Sequence, residues 1–423
     1  MTLQKFVFKP GVDRENTRYT SEGGWYECDK IRFRAGMPEK IGGWNRISTN
    51  SFLGVARSLF SWVTLGSQKL LGIGTNLKFY IEQGGVYYDI TPLRATVSLT
   101  DPFTTVSGST TVTVTDAAGG YINNDFVTFS GASAVGGLTL NGEFQITYLT
   151  GNTYTITASE AASSSATGGG SVSAAYQINT GPAVAEALVG WGAGGWSLGT
   201  WGSGVTSTDA LRLWTQSNFG EDLIFAARGG SLFFWDATDA LTTRGVLLSS
   251  ETGASNVPVK VNTLLVSDNR FVFCFGTNVL GSTDLDPLLL RWSDQENALN
   301  WTPSSTNQAG DLRLSKGSEI ITAIQGRQEI LVWTDSALYA LQYVGAPAVW
   351  GSQTVGENLS IASTNAVAYA NGVAYWMGVG GFYRYDGRVQ TLPCTVKRYI
   401  FTDFNTEQYE QVFAGTNEAF SEI

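Results

Sequence analysis

The sequence predicts an all-β protein, a β-propeller body carrying a small inserted β-sandwich or barrel. Three observations lead there. One phrase recurs along the chain: an apolar strand, a tight turn, and a second apolar strand rich in aromatics. It is clearest in LIFAARGGSLFFWD, Leu223 to Asp236, where Gly229-Gly230 makes the turn. Glycine reaches positive φ without a Cβ clash, so Gly-Gly between two such runs reads as a hairpin. Composition agrees: the 423 residues include 50 glycines, and 12% of the chain is aromatic, the signature of short strands joined by tight turns. Finally, a single hairpin is marginal in water, so several copies must pack on one another.

The copies are Leu70–Ile81, turning at Thr75-Asn76; Leu223–Asp236; a run opening near Phe271; Ile330–Tyr343, turning at Asp335-Ser336; and Val373–Asp386, turning at Gly380-Gly381. That makes five repeats. Around the first, Val55–Val63, Lys69–Gly74, Leu77–Glu82 and Val86–Thr91 read as four short strands, the complement of one propeller blade.

Residues 1–50 precede the repeats as an arm punctuated by Gly and Pro. Lys30–Arg34 alternates polar and apolar, Ala35–Pro38 turns, and Glu39–Trp44 returns, so a hairpin is expected there and could lend strands to a sixth blade. Trp25, Phe33 and Trp44 are its expected anchors. Period-2 alternation puts Arg18, Arg32 and Arg34 on outward-facing positions. The arm holds nine Lys/Arg against six Asp/Glu, while the whole chain carries −10. A basic arm on an acidic body predicts docking to an acidic neighbour.

Residues 98–177 differ in kind. They hold no Lys, Arg or Trp, and five acids: Asp101, Asp116, Asp125, Glu143 and Glu160. Alternating runs such as TTVTVTD and NTYTITAS predict a separate small β domain inserted in a body made of residues 51–97 and 178–423. The stretch VTVTDAAGGYINNDFVTFSGASAVGGLTLNGEFQITYLTGNTYTITASEAASSSATGGG resembles the small β domain in the first catalytic cysteine half-domain of ubiquitin-activating enzymes. That resemblance covers this module and carries no catalytic residue with it.

Beyond it, Trp191, Trp196 and Trp201 recur every five residues in GWGAGGWSLGTWGSG. The plainer reading is a loop whose indoles plug against the body. The other is an aromatic platform for sugars or bases. At the far end, Gln411–Ile423 reads as a strand, a turn at Thr416-Asn417 and a stop in mid-blade. Closure by the arm or by a neighbouring subunit would complete it.

Chemistry is sparse. The chain has no histidine, which rules out a Ser-His-Asp triad or an HExxH metal helix. Cys28, Cys274 and Cys394 are far apart with no CxxC pair, so buried small hydrophobes are expected and no disulfide framework. Asp284 and Asp286 in STDLDP are the nearest thing to a paired-acid site. Before Pro287 they read better as turn formers, and DLD is too sparse for calcium. Glycine strings of the GxGxxG kind never fall between a strand and a helix, so they carry no weight. No apolar run approaches the roughly 20 residues of a spanning helix, and MTLQKFVFKPGVDREN lacks a signal-peptide core. The expectation is therefore no catalytic, cofactor or metal residues.

Longer strings are informative. GSTDLDPLLLRWSDQENALNWTPSSTNQAGDLRLSKGSEIITAIQGRQEILVWTDSALYALQYVG, TRYTSEGGWYECDKIRFRAGMPEKIGGW and YDGRVQTLPCTVKRYIFTDFN together resemble a family of tail proteins of short-tailed bacteriophages, the tail-nozzle or packaged-DNA stabilisation proteins. The resemblance implies a β-propeller body and no enzyme. It implies a homohexameric ring in the virion tail, assembled in the host cytoplasm below a tail adaptor. Spike or fibre proteins would lie at its side, with contact to the host surface, and double-stranded DNA would be retained and then conducted without specific binding. Family members continue past a stretch like NEAFSEI, so an incomplete last blade is also expected. A weakly basic, acidic chain suits a conduit, because clustered Lys and Arg would grip phosphate through counterion release. A receptor- or glycan-binding propeller at the tail tip is the alternative.

Overall fold

A computed structural model describes residues 8–46, 48–185 and 210–423. Among them the chain is all-β, with 31 strands, one short α-helix at Lys397–Thr402 and two 3-10 turns. The tryptophan-rich loop with Trp191, Trp196 and Trp201 lies outside the described residues.

Five four-stranded antiparallel sheets form the body, each a meander in which every strand pairs with the next in sequence. Sheet I comprises Ala56–Val63, Lys69–Thr75, Phe79–Gln83 and Val86–Asp89; sheet II comprises Trp214–Phe219, Asp222–Ala227, Leu232–Trp235 and Val246–Leu247. Sheet III holds Val261–Val266, Val272–Asn278, Leu285–Trp292 and Gly310–Arg313. Sheet IV holds Ile320–Gln325, Ile330–Thr334, Ala337–Gly345 and Val349–Glu357; sheet V holds Val367–Ala370, Val373–Gly378, Gly381–Tyr385 and Val389–Leu392. The expected turns at Thr75-Asn76, Gly229-Gly230 and Asp335-Ser336 all separate paired strands; in sheet V the turn is Val379-Gly380, one residue early.

The chain divides into two compact units: Met1–Thr49, Pro287–Leu289 and Leu312–Ile423 make one, and Asn50–Asp286 with Leu290–Asp311 make the other. In the second unit, strand Asp222–Ala227 shows why its sequence is apolar at every position after Asp222. Leu223, Phe225 and Ala227 face sheet I with Trp62, Leu70, Phe79 and Ile81. Ile224 and Ala226 face sheet III with Val261, Leu264, Val272 and Cys274. A strand covered on both faces loses the polar half of its alternation. Packing between sheets I and II is close enough to dictate glycine. A Cβ at Gly74 would lie 2.5 Å from Trp214 Cγ. That indole donates its Nε1–H to the Thr75 carbonyl at 2.6 Å.

Between sheets I and II the chain builds two further sheets. One runs Gly142–Gln145, Phe126–Ser130, Ser171–Gln177, Leu93–Thr100 in spatial order; the other runs Thr147–Thr150, Thr153–Thr157, Thr111–Thr115, Phe103–Thr105, Ala166–Gly168. They enclose their own core of Phe103, Val112, Val114, Val127, Phe129, Tyr154, Ile156, Val172 and Tyr176. In TVTVT the valines point into this core and the threonines out, the period-2 pattern of a half-buried strand. The first strand of this module begins at Leu93, five residues before the expected start, because Leu93–Thr100 pairs with Ser171–Gln177 along its length.

In the first unit, sheets IV and V share a core of Leu331, Trp333, Leu338, Ala340, Ala374, Trp376 and Tyr385. The arm hairpin is Ile31–Arg34 against Met37–Lys40, a two-stranded sheet of its own that lends no strand to the four-stranded sheets, contrary to the sixth-repeat expectation. Ala35 and Gly36 both have positive φ (48° and 80°), as a two-residue hairpin turn requires. The expected strand in Gln411–Ile423 is absent. A 3-10 turn at Thr406–Gln411 is followed by single bridges from Phe413 to Asn365 and from Asn417 to Glu422.

Candidate functional site

Three places gather chemistry-bearing side chains. The first is the acid pair of STDLDP. Asp284 sits in the exposed turn before strand Leu285–Trp292, accepting the Ser282 hydroxyl at 3.1 Å, while the Ser282 oxygen takes the Asp284 N–H at 3.0 Å. Asp286 lies on the strand opposite Thr277. Asp284 is thus the turn former expected of it, whereas Asp286 and Pro287, expected in the same turn, lie inside the paired strand. Among the described residues no group of three or more Cys, Asp and Glu side chains could hold a metal ion.

The second is the root of the inserted module, which sequence reasoning missed. Lys78, from the turn of sheet I, is 3% exposed and reaches Asp89 at 2.7 Å and Glu143 of the module at 2.5 Å. Arg244 pairs with the same two carboxylates at 3.5 and 3.6 Å and donates to the Thr91 carbonyl at 2.7 Å. Gln177 donates its amide to Glu143 at 2.6 Å. Burial raises the Asp89 pKa, but Lys78 and Arg244 pull harder, and the net value lies below the usual carboxylate. Nearby Asp125 goes the other way. Burial outweighs the N–H groups of Ile122 and Thr180 and the Arg94 guanidinium, and its pKa is raised. Deeper in the module the Tyr176 hydroxyl donates to Asp116 at 2.6 Å and shares a hydrogen bond with Tyr154 at 2.8 Å. Each buried charge here has a partner, so the cluster is a fastening.

The third lies in the first unit, where the two ends of the chain meet. Arg14 and Glu15 donate backbone N–H to the Thr395 carbonyl at 2.8 and 3.1 Å, and the Thr395 hydroxyl donates to the Val12 carbonyl at 2.6 Å. The Arg398 N–H donates to the Glu15 carboxylate at 2.5 Å. Arg14 lies over Tyr399 at 4.0 Å and Tyr26 at 5.0 Å, and pairs with Glu27 at 3.4 Å. Arg32 lies over Phe420 at 3.5 Å, with Glu422 at 3.6 Å.

The expected anchors divide. Trp25 packs in tilted contact with Phe8 (5.7 Å) and Phe33 (6.0 Å), whereas Trp44 is fully exposed. Trp44 follows Gly42-Gly43, where nothing approaches the backbone. Arg32 departs from the outward position expected of it. Its side chain is 12% exposed, because the distant segment 420–422 covers it. Arg18 lies over Tyr26 at 4.7 Å, and Arg34 stays exposed at 5.9 Å from Phe420. Residues 393–423, on which the arm rests, carry two Lys/Arg against five Asp/Glu, and Arg32 with Glu422 is an ion pair between the two segments.

No protein family profile matches the chain, and no curated protein does. Among solved structures it is similar to the phage phi92 endosialidase at 15% identity and TM-score 0.24, covering 80% of this chain and 55% of that one. It is similar to PorZ, a surface component of the type-IX secretion system of Porphyromonas gingivalis, at 9% identity and TM-score 0.31, covering 88% and 46%. A third is the arabinofuranosidase arb93a of Fusarium graminearum, at 11% identity and TM-score 0.27, covering 77% and 88%. The chain spans about half the length of the first two. These TM-scores fall short of a shared fold.

Proposed function

We propose that the protein is a structural subunit of a short phage tail, a β-propeller that assembles as a hexameric ring, retains the packaged genome and conducts it during ejection. The observation that carries the reading is the succession of five meander sheets, with sheet II packed on both of its faces. Such blades suit a propeller. The strings near Gly281, Thr17 and Tyr385 that resemble tail-nozzle proteins supply the rest. A tail adaptor above, spike or fibre proteins at the side and passing double-stranded DNA are the partners this reading assigns. The body and the module at residues 93–177 then have separate tasks, wall and decoration.

The low content of charged side chains, 15% of the chain, favours a subunit that buries wide flanks against neighbours over one that meets water on all sides. With 26 Lys/Arg against 36 Asp/Glu, the duplex meets little that would hold its phosphates. The test is negative-stain microscopy of the purified chain and of tail particles. Six-fold rings with a central hole are expected in both. A chain that stays monomeric at every concentration and is missing from tail particles would overturn the proposal.

A further inference from the structure

We infer that the amino-terminal arm is an exchangeable strap: in the assembled ring, residues 8–40 of one copy dock on residues 395–422 of a second copy. This rests on the ring proposed above and goes beyond it by naming the surface that ties neighbours together.

The arm is a piece that can travel. Trp25 packs on Phe8 and on Phe33, so this small apolar cluster moves with the arm. The Val12–Trp25 bridge and the Ile31–Lys40 hairpin are likewise internal to the arm. What fixes it to the rest of its unit includes the Thr395 bonds, the Glu15–Arg398 bond and the cation–aromatic contacts of Arg14 and Arg32. Every one of these can be made to a second copy with the same geometry. Their energies therefore cancel between the two arrangements, and the linker decides.

The linker is built to open. Residues 41–46 are exposed without exception, and open space surrounds the positions where Gly42 and Gly43 would carry a Cβ. Two successive glycines change direction at little steric cost. The surfaces also attract at a distance. The first 50 residues carry nine Lys/Arg against six Asp/Glu, while residues 393–423 carry two against five. Such complementarity steers one copy's arm to another's tail as well as to its own. Within a ring the neighbour's tail stands at high effective concentration, which converts a weak docking into a lasting one.

The experiment uses the full chain with Cys28→Ser, Cys274→Ala and Cys394→Ser, then adds Val12→Cys, Thr395→Cys, or both. A short bismaleimide is applied to assembled material, and products are separated under denaturing conditions. The double variant is expected to shift from single chains to a ladder ending at the ring size. Co-assembly of the two single variants, carrying tags of different size, is expected to give a covalent heterodimer. If rings are present by negative stain but the double variant links only within one chain and the mixture gives no heterodimer, the exchange is overturned while the ring stands. If no rings form, the ring reading fails and takes the exchange with it.

Discussion

At the scale of single residues, the chain is governed by fit. Gly74 exists to let an indole approach: with Trp214 Cγ 2.5 Å from the position of its missing Cβ, any side chain collides with a ring that is itself held by a hydrogen bond. Gly74→Ala is expected to destabilise the second unit by about 1–3 kcal/mol, the usual cost of overpacking, read as a lower urea midpoint. Wild-type stability in that variant would remove the packing argument. Cysteine chemistry follows burial. Cys274 is wholly buried, and burial pushes its thiol up, whereas Cys28 and Cys394 are half-buried. Iodoacetamide on the native protein should therefore label Cys28 and Cys394 and spare Cys274, with mass spectrometry of peptides as the readout. What the sequence showed poorly at this scale is who covers whom. Arg32 sits on an alternating strand and reads as outward, but its cover comes from Phe420 and Glu422, almost 390 positions away. Trp44 reads as an anchor because tryptophans usually are, yet Gly42-Gly43 leaves nothing for it to lean on.

At the scale of elements, turns were legible because their chemistry is local. Asp335-Ser336 and Gly229-Gly230 fall between strands where turn residues predict, and the module's alternating Thr and Val runs became strands for the same reason. Its root was not legible, since Lys78, Asp89, Glu143 and Arg244 are scattered over more than 160 positions. That root makes a prediction about pH. Asp89 has a folded pKa below its unfolded value of about 4. Its contribution to stability is therefore present above the unfolded pKa and is lost as pH falls through the folded one. Asp125, raised on folding, contributes with the opposite sign, while Asp13, lowered by its hydrogen bond with Asn16, adds to the loss on acidification alongside Asp89 of the Lys78 cluster. Lys78→Met leaves Arg244 as the remaining cation of the ion pairs with Asp89 and Glu143. A cost toward the lower end of about 3–5 kcal/mol is expected at neutral pH, together with a shallower loss of stability on acidification. Urea titrations at a series of pH values check both, and a variant with an unchanged acid limb would show that the cluster does not fasten the module.

At the scale of the whole molecule, repetition was the legible part. Five hairpin phrases became five meander sheets, because a strand–turn–strand pattern is written in contiguous residues. The fate of the ends was not. Gln411–Ile423 has the alternation of a strand, but a strand needs a partner edge, and the chain gives these residues single bridges and an arm. On the proposed function, particles assembled without this protein should fill with DNA and then lose it, which nuclease protection of packaged genomes would measure. Particles that keep their genome would count against a retaining role.

The two-sided burial of Leu223–Ala227 has a consequence in time. During synthesis, the face of sheet I made by Phe79 and Ile81 is finished long before the strand that covers it leaves the ribosome. The intervening residues number well over one hundred, and at ~5–20 residues per second the wait is roughly 7 to 30 seconds. The inserted module occupies that interval with a core of its own, drawn from Phe103 to Tyr176. Sheet I thus stays uncovered on that face for the whole interval, and shortening the delay by excising residues 93–177 would change when the nascent chain is vulnerable as much as what the finished protein displays.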